Sequence, residues 1–284
     1  MGKLTLMAWV WASLSLIASG SAPQRVVISG ADSMILLAQK TAKSFTYSHA
    51  AAQIEVTPGG EARALQQLTR GVDVAQGVSS VSRSAADRVQ LAIGIESSVV
   101  VLNKSNNVAE LTLTQLKQIF IGKITNWKEV GGKDAAIQIY STESAAGGSL
   151  FLRDVLLQDE EFDTTMRGFT NPKEMIAAVA ADPHGIGFGP ITDATAVKLP
   201  KISKGKNFVS VDPTVDNIRS ARYPLARYMY WSIAKNAGSL THEFCEWMVS
   251  KDGQLVVESL GYFPLPAEKR QEAMRSLTTA NPGQ

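Results

Sequence analysis

The 284-residue chain is poor in two groups that carry much enzyme chemistry: it has one cysteine and three histidines. Its charges nearly cancel, with 28 Lys+Arg against 26 Asp+Glu and a net of +2. A single cysteine, Cys245, closes no intramolecular disulfide, so a small stapled scaffold is excluded and the fold must rest on core burial. In its apolar helical setting Cys245 reads as a packed small hydrophobe, not a nucleophile. His49, His184 and His242 are scattered without metal-ligand spacing, and HExxH, CxxC and GxSxG are all absent, which removes the familiar metal and hydrolase signatures. So small a net charge gives little field for nucleic acid or an anionic membrane as the main partner. Past residue 22 no apolar run approaches the roughly 20 residues that span a membrane.

What is present is ordinary globular material, 45% hydrophobic and 19% charged, long enough for one or two domains with a substantial core. Residues 1–22 stand apart. Lys3 opens them, a mostly apolar run from Leu4 to Ala18 follows, and small residues from Ala18 to Ala22 close them, the layout of a secretory signal peptide cleaved near Gly20–Ser21. A periplasmic or secreted location is the consequence.

The remainder repeats a strand, small-residue loop, helix grammar. Arg25 to Ile28 reads as a strand and Ser29-Gly30-Ala31-Asp32-Ser33 as a turn and cap. Met34, Leu37, Ala38, Thr41, Ala42 and Phe45 then recur at helical spacing. Ile54 to Val56 is a second strand broken by Pro58-Gly59-Gly60, with a short helix from Ala62 to Leu68. Val72 to Ala75 is a third strand running into a loop through Ser80. Ser98 to Leu102 reads as a buried strand, and Thr112 with Gln115 as a capping box opening a helix that ends at Gly122. Ile137 to Tyr140 is a strand and Leu150 to Leu157 a helix. The run Gly185 to Gly189 matches a dinucleotide loop weakly, because it follows a helix instead of opening one, and a strand with close backbone contacts is expected. Such alternation predicts an α/β fold with ligands bound where strand C-ends meet helix N-ends. Residues 267–284 are polar and are expected to be a frayed tail.

The stretch Leu111-Thr112-Leu113-Thr114-Gln115-Leu116-Lys117-Gln118-Ile119-Phe120-Ile121-Gly122-Lys123-Ile124-Thr125-Asn126-Trp127 through Gly132 resembles the central signature of the phosphate-binding periplasmic proteins of bacterial phosphate ABC transporters. Similar correspondences cover Ile28 to Ala38, Tyr223-Pro224-Leu225-Ala226-Arg227, and Ser250 to Pro266. The resemblance implies a type II periplasmic-binding-protein fold: two α/β lobes with mainly parallel sheets, joined by two crossover segments and closing around an anion. Lobe I would be residues 23–96 with 226–284, and lobe II residues 97–225. It implies a monomeric binding protein, without catalytic residue, metal or cofactor, that delivers inorganic phosphate or a similar small anion to an ABC permease.

Carried over position by position, the anion would meet Gly30, Ala31, Asp32 and Ser33 after the first strand. Gly59 and Gly60 would follow after the second, Ser79 after the third, and Thr142, Gly147 and Gly148 in lobe II. Asp32 reads equally well as a helix N-cap. The sequence also departs from the pattern. Where relatives carry an Arg and then Ser-Gly-Thr, this chain has Thr142 and Ala146-Gly147-Gly148. After the third strand Val78 and Ser79 stand where relatives carry Ser and Arg. A lost charge-assisted bond costs about 1.5–3 kcal/mol, or roughly tenfold to a hundredfold in affinity. Arg83 and Arg63 are the candidate compensating cations, each weighed against an ordinary solvated surface charge. Two readings stay open: phosphate capture with a relocated cation, or the same fold with phosphate binding lost and another ligand or partner in its place. A phosphoryl-transfer enzyme would need a metal cluster or a nucleophile paired with a base, and the motifs supply neither. Arg219, Arg222 and Arg227, with Tyr228, Tyr230 and Trp231, read as a crossover strand with packed aromatics instead of a basic binding patch.

Overall fold

A computed structural model describes residues 25–80, 87–142, 151–158 and 160–280. The proposed signal segment, Arg83, Gly147 and Gly148 lie outside the described residues.

The first sheet has the order β2-β1-β3-β11-β4. Strand β1 (Arg25–Gly30) is flanked by β2 (Gln53–Pro58) and β3 (Val74–Gly77), both parallel to it. Strand β11 (Ala226–Ala234) returns antiparallel between β3 and β4 (Arg88–Ser97). Helix α1 (Ile35–Ser48) follows β1 and buries Leu37, Ala38, Thr41, Ala42 and Phe45, the face its periodicity predicts. Helix α2 (Glu61–Gln67) links β2 to β3 and buries Ala64.

Across a one-residue break at Ser98, β4 continues into β5 (Val99–Leu102), the buried edge of a second sheet of order β5-β9-β7-β8. There β7 (Gln138–Thr142) is parallel to both β8 (Arg167–Phe169) and β9 (Gly185–Gly189). A small pair of β6 (Glu110–Thr112) with β10 (Lys201–Ser203) flanks it. Helix α3 (Leu113–Phe120) opens on the expected capping box, Thr112 accepting from the Gln115 amide while the Gln115 side chain accepts from the Thr112 amide. It stops before Gly122, whose φ of 73° suits a residue without Cβ. Trp127 is buried and donates to the His184 carbonyl at 3.0 Å, anchoring its loop in the core.

Helix α4 (Pro172–Ala181) packs directly on β9, where added Cβ atoms at Gly185, Gly187 and Gly189 would crowd Val179, Met175 and Ile176. Those glycines serve helix-on-strand packing, not a nucleotide loop. Two further expectations are corrected. Residues 153–157 wind as a π-helical turn (Arg153–Leu157) instead of continuing an α-helix. The tail is also helical as far as residue 280: after α5 (Val215–Arg219), α6 (Ser239–Val249) and α7 (Lys251–Ser259), residues Ala267–Ala280 form helix α8. Ala273 and Leu277, one turn apart, are 3% and 1% exposed, so two apolar residues at i, i+4 anchor a helix that reads as polar overall.

The two sheets meet along a pair of crossovers. Ser98 donates its amide and Ser97 its hydroxyl to the Leu225 carbonyl at 3.2 and 2.8 Å, tying the outgoing chain to the returning one. Tyr223 and Leu225 are buried there.

Candidate functional site

The parallel register of the first sheet creates the candidate site. Gly30 lies opposite both Pro58 and Gln76, so β1, β2 and β3 end at the same level and their three loops emerge side by side. The bonds between these loops are direct. The Gly60 amide donates to the Gly30 carbonyl and the Ala31 amide to the Gln76 carbonyl, each at 3.0 Å. Gly30 has φ of 147°, and a Cβ there would enter the Gln76 carbonyl, so only glycine lets the strands end this close together. Gly59 lies against the Ser29 hydroxyl.

These bonds sort the sequence candidates. Gly30, Ala31, Gly59, Gly60 and Ser79 share one edge of the sheet. The amides of Ala31 and Gly60, however, are already taken by protein carbonyls. Asp32 and Ser33 form the first turn after β1 (a 3-10 turn, Asp32–Met34, running into α1), where backbone amides have no intrahelical acceptor. The N-cap position is Ala31, with no side-chain cap bond, so Asp32 is not the N-cap its alternative reading made it. Arg63 is exposed on α2. Thr142 ends β7 in the other sheet, opposite Phe169, and is 9% exposed.

Two residues absent from the sequence candidates belong to this edge. Gln76, fully buried, reaches the Ala31 carbonyl with its Nε2 at 3.4 Å, and its Oε1 has no partner among the described residues. Glu61, the first residue of α2, accepts from the Val78 amide at 3.0 Å, the Ser79 amide at 2.9 Å and the Ser79 hydroxyl at 3.1 Å. An acid directly after Gly59-Gly60 was the available signal, obscured because helix starts favour acids for dipole reasons alone.

At the crossover, Arg227 is paired instead of solvated. Its guanidinium donates to Glu96 at 2.9 and 3.0 Å, reaches Asp154 of the π-helical turn at 3.3 Å and lies over the Phe151 ring at 5.0 Å. The Glu96 side chain is only 5% exposed. Burial raises its pKa above the usual carboxylate value although Arg227 opposes the shift. Tyr262, half-buried and near Glu96, is pushed up to about 12, chiefly by desolvation. Tyr228 and Tyr230 pack together, and Trp231 lies against Phe244, in line with a crossover strand of packed aromatics.

Other features offer no reactive group. Cys245 is fully buried and its thiol is pushed up by that burial. No cluster of three or more His, Cys, Asp or Glu able to hold a metal occurs among the described residues. A groove of about 750 Å³ runs along β4 and β11 against α8, and two cations on its rim, Arg88 and Lys269, are paired with Asp87 and Glu272. No helix among the described residues is long and apolar enough to cross a membrane.

The fold is shared with proteins of known type. The phosphate-binding protein PstS of Bacillus subtilis is 28% identical over 256 residues, covering 87% of this chain and 82% of that protein. PstS of Pseudomonas aeruginosa is 22% identical over 87% of this chain and 85% of its own length. Among solved structures, an ABC-type phosphate transport receptor from Vibrio cholerae aligns with a TM-score of 0.65 at 25% identity, over 86% of this chain and all of that one. A possible phosphate binding protein from Planctomyces limnophilus reaches 0.83 at 23% identity, over 92% and 99%. Residues 18–252 match the PBP superfamily domain, and the chain belongs to that superfamily.

Proposed function

We propose that this protein captures inorganic phosphate, or a related small oxyanion, between its two lobes and delivers it to an ABC permease from a periplasmic or secreted location. The observation that carries the reading is the common level at which β1, β2 and β3 end, which gathers three loops around one point at the C-terminal edge of a parallel sheet. Relatives named as phosphate-binding proteins support the choice of anion. On this reading lobe I is residues 23–96 with 226–284, lobe II is residues 97–225, and residues 1–22 are the signal peptide. The lobes close by flexing at the crossovers, where Ser97 and Ser98 meet Leu225. Helix-start amides at Asp32 and Ser33 face the anion, and Thr142 contributes from the second lobe.

No catalytic step is part of the reading. A buried oxyanion needs donors to replace its hydration shell, and backbone amides supply them with neither a nucleophile nor a metal. The test is thermal unfolding of the phosphate-stripped protein with and without millimolar phosphate, with sulfate as control. Ligand at a thousand times Kd stabilises by about 4 kcal/mol, and at about 2–4 °C per kcal/mol for a chain of this size the midpoint rises by roughly 8–16 °C. An unchanged midpoint at all phosphate concentrations overturns phosphate as the ligand and leaves the fold with another ligand or partner.

A further inference from the structure

The loop after β3 already holds an anion, and the anion belongs to the protein. Glu61 places one carboxylate oxygen on the Ser79 amide at 2.9 Å, and the other on the Val78 amide at 3.0 Å and the Ser79 hydroxyl at 3.1 Å. Successive backbone amides with an adjacent hydroxyl form a concavity suited to an oxyanion. The loop is held in place from behind, because Gln90 of β4 donates to the Ser79 carbonyl at 3.0 Å. Room for the carboxylate comes from Gly77, where any Cβ would run into the Glu61 side chain. Three independent features, a two-amide grip, a braced loop and a glycine that clears the way, converge on one side chain.

We infer that Glu61 is an internal carboxylate ligand that competes with the external anion for the Val78 and Ser79 amides, so that the receptor binds phosphate only by displacing it. This rests on reading the chain as an oxyanion receptor and adds a residue that sets its affinity and selectivity. The competition is strongest against anions of the same charge and shape as a carboxylate. Glu61 is half-buried and Ser79 exposed, so an incoming anion reaches the loop from solvent. Once displaced, the Glu61 carboxylate stays close to the ligand and repels a fully ionised one, which weakens binding by like-charge contact.

The experiment titrates the full-length protein and its Glu61→Ala and Glu61→Gln variants with inorganic phosphate by calorimetry. In parallel it measures their unfolding midpoints with and without sodium formate at tens of millimolar, with sodium chloride as the ionic control. The expected result is phosphate affinity at least tenfold higher in both variants than in the parent, and a formate-dependent rise in midpoint for Glu61→Ala alone, where the small carboxylate refills the vacated amides. Phosphate bound by the parent as tightly as by the variants, or more tightly, overturns the inference and leaves the phosphate reading intact. Should phosphate bind none of the three proteins, formate decides. A rise confined to Glu61→Ala upholds the internal carboxylate and overturns phosphate as the ligand, whereas no rise overturns both. Glu61→Gln preserves the side-chain volume and keeps the affinity comparison valid if Glu61→Ala fails to fold.

Discussion

Two glutamates, Glu61 and Glu96, each satisfy a carboxylate with several donors, but they do so in opposite surroundings. Glu96 lies at the crossover with 5% of its side chain exposed and meets a guanidinium, while Glu61 is half-buried and meets backbone amides at the mouth of three loops. A buried charge and its partner are obligatory to each other, since removing one strands the other in low dielectric. A half-exposed charge on amides is replaceable, because water or another anion can take either side of the contact. The crossover pair therefore holds the architecture, whereas the loop carboxylate tunes what enters.

The largest test of this contrast is Arg227→Met, which keeps the packing over Phe151 but leaves Glu96 without its guanidinium. We expect a loss of about 3–5 kcal/mol in unfolding free energy at neutral pH, measured by urea denaturation. The loss should shrink with acidity. Glu96 has a folded pKa above its ordinary value of 4.5, so the folded state binds the proton more tightly than the unfolded one. The penalty of the ionised form is then fully present above the raised pKa and is relieved as pH falls through it toward the ordinary value. A pH-independent deficit would show that Arg227 acts through packing alone. Glu96→Gln, by contrast, removes the buried charge and leaves Arg227 with Asp154, and should cost far less than Arg227→Met.

A smaller but still clear effect is expected at the loops. Gly30→Ala places a Cβ in the Gln76 carbonyl at a φ of 147°, a conformation L-residues rarely adopt. The expected cost is about 2–4 kcal/mol from strain and displacement of β3. Because Gly30 sets the common level of the strand ends, any ligand-induced rise in midpoint should fall with it. Retained ligand stabilisation in a destabilised Gly30→Ala protein would detach the site from the sheet edge.

Much of this was legible before any coordinates. The capping box at Thr112 and Gln115, the apolar face from Leu37 to Phe45 and the buried strand read over Ser98 to Leu102 follow from periodicity and local hydrogen bonding; all three are observed, the strand as Val99–Leu102. What local rules missed depended on tertiary packing. Helix α8 needs only Ala273 and Leu277 to dock, too little apolar content to register against a polar background. The third strand extends to Gly77, two residues past its apolar run, because pairing with β1 sets Gln76 opposite Gly30 and pairing with β11 sets Gly77 opposite Tyr230. At the site, the glycine-marked loops were visible as a set, but which amides remained available was not. That depends on Gln76, Gly30 and Glu61 meeting across strands, and no spacing in the chain encodes it.

The smallest expected effect is the sharpest discriminator. If Glu61 is a replaceable occupant and not a structural tie, Glu61→Gln should change the unfolding free energy by no more than about 1 kcal/mol, since the Gln oxygen can still accept and water reaches the remaining donors. Denaturant midpoints of the parent and the variant at equal slope measure this directly. A cost approaching that of Arg227→Met would place Glu61 in the same class as Glu96, a charge the fold depends on, and would erase the distinction between the two glutamates. A cost near zero would mean that the carboxylate is held by the loop without holding the loop. A group under selection for ligand choice is expected to behave in that way, because its contacts must be exchangeable for those of the ligand on the time scale of binding.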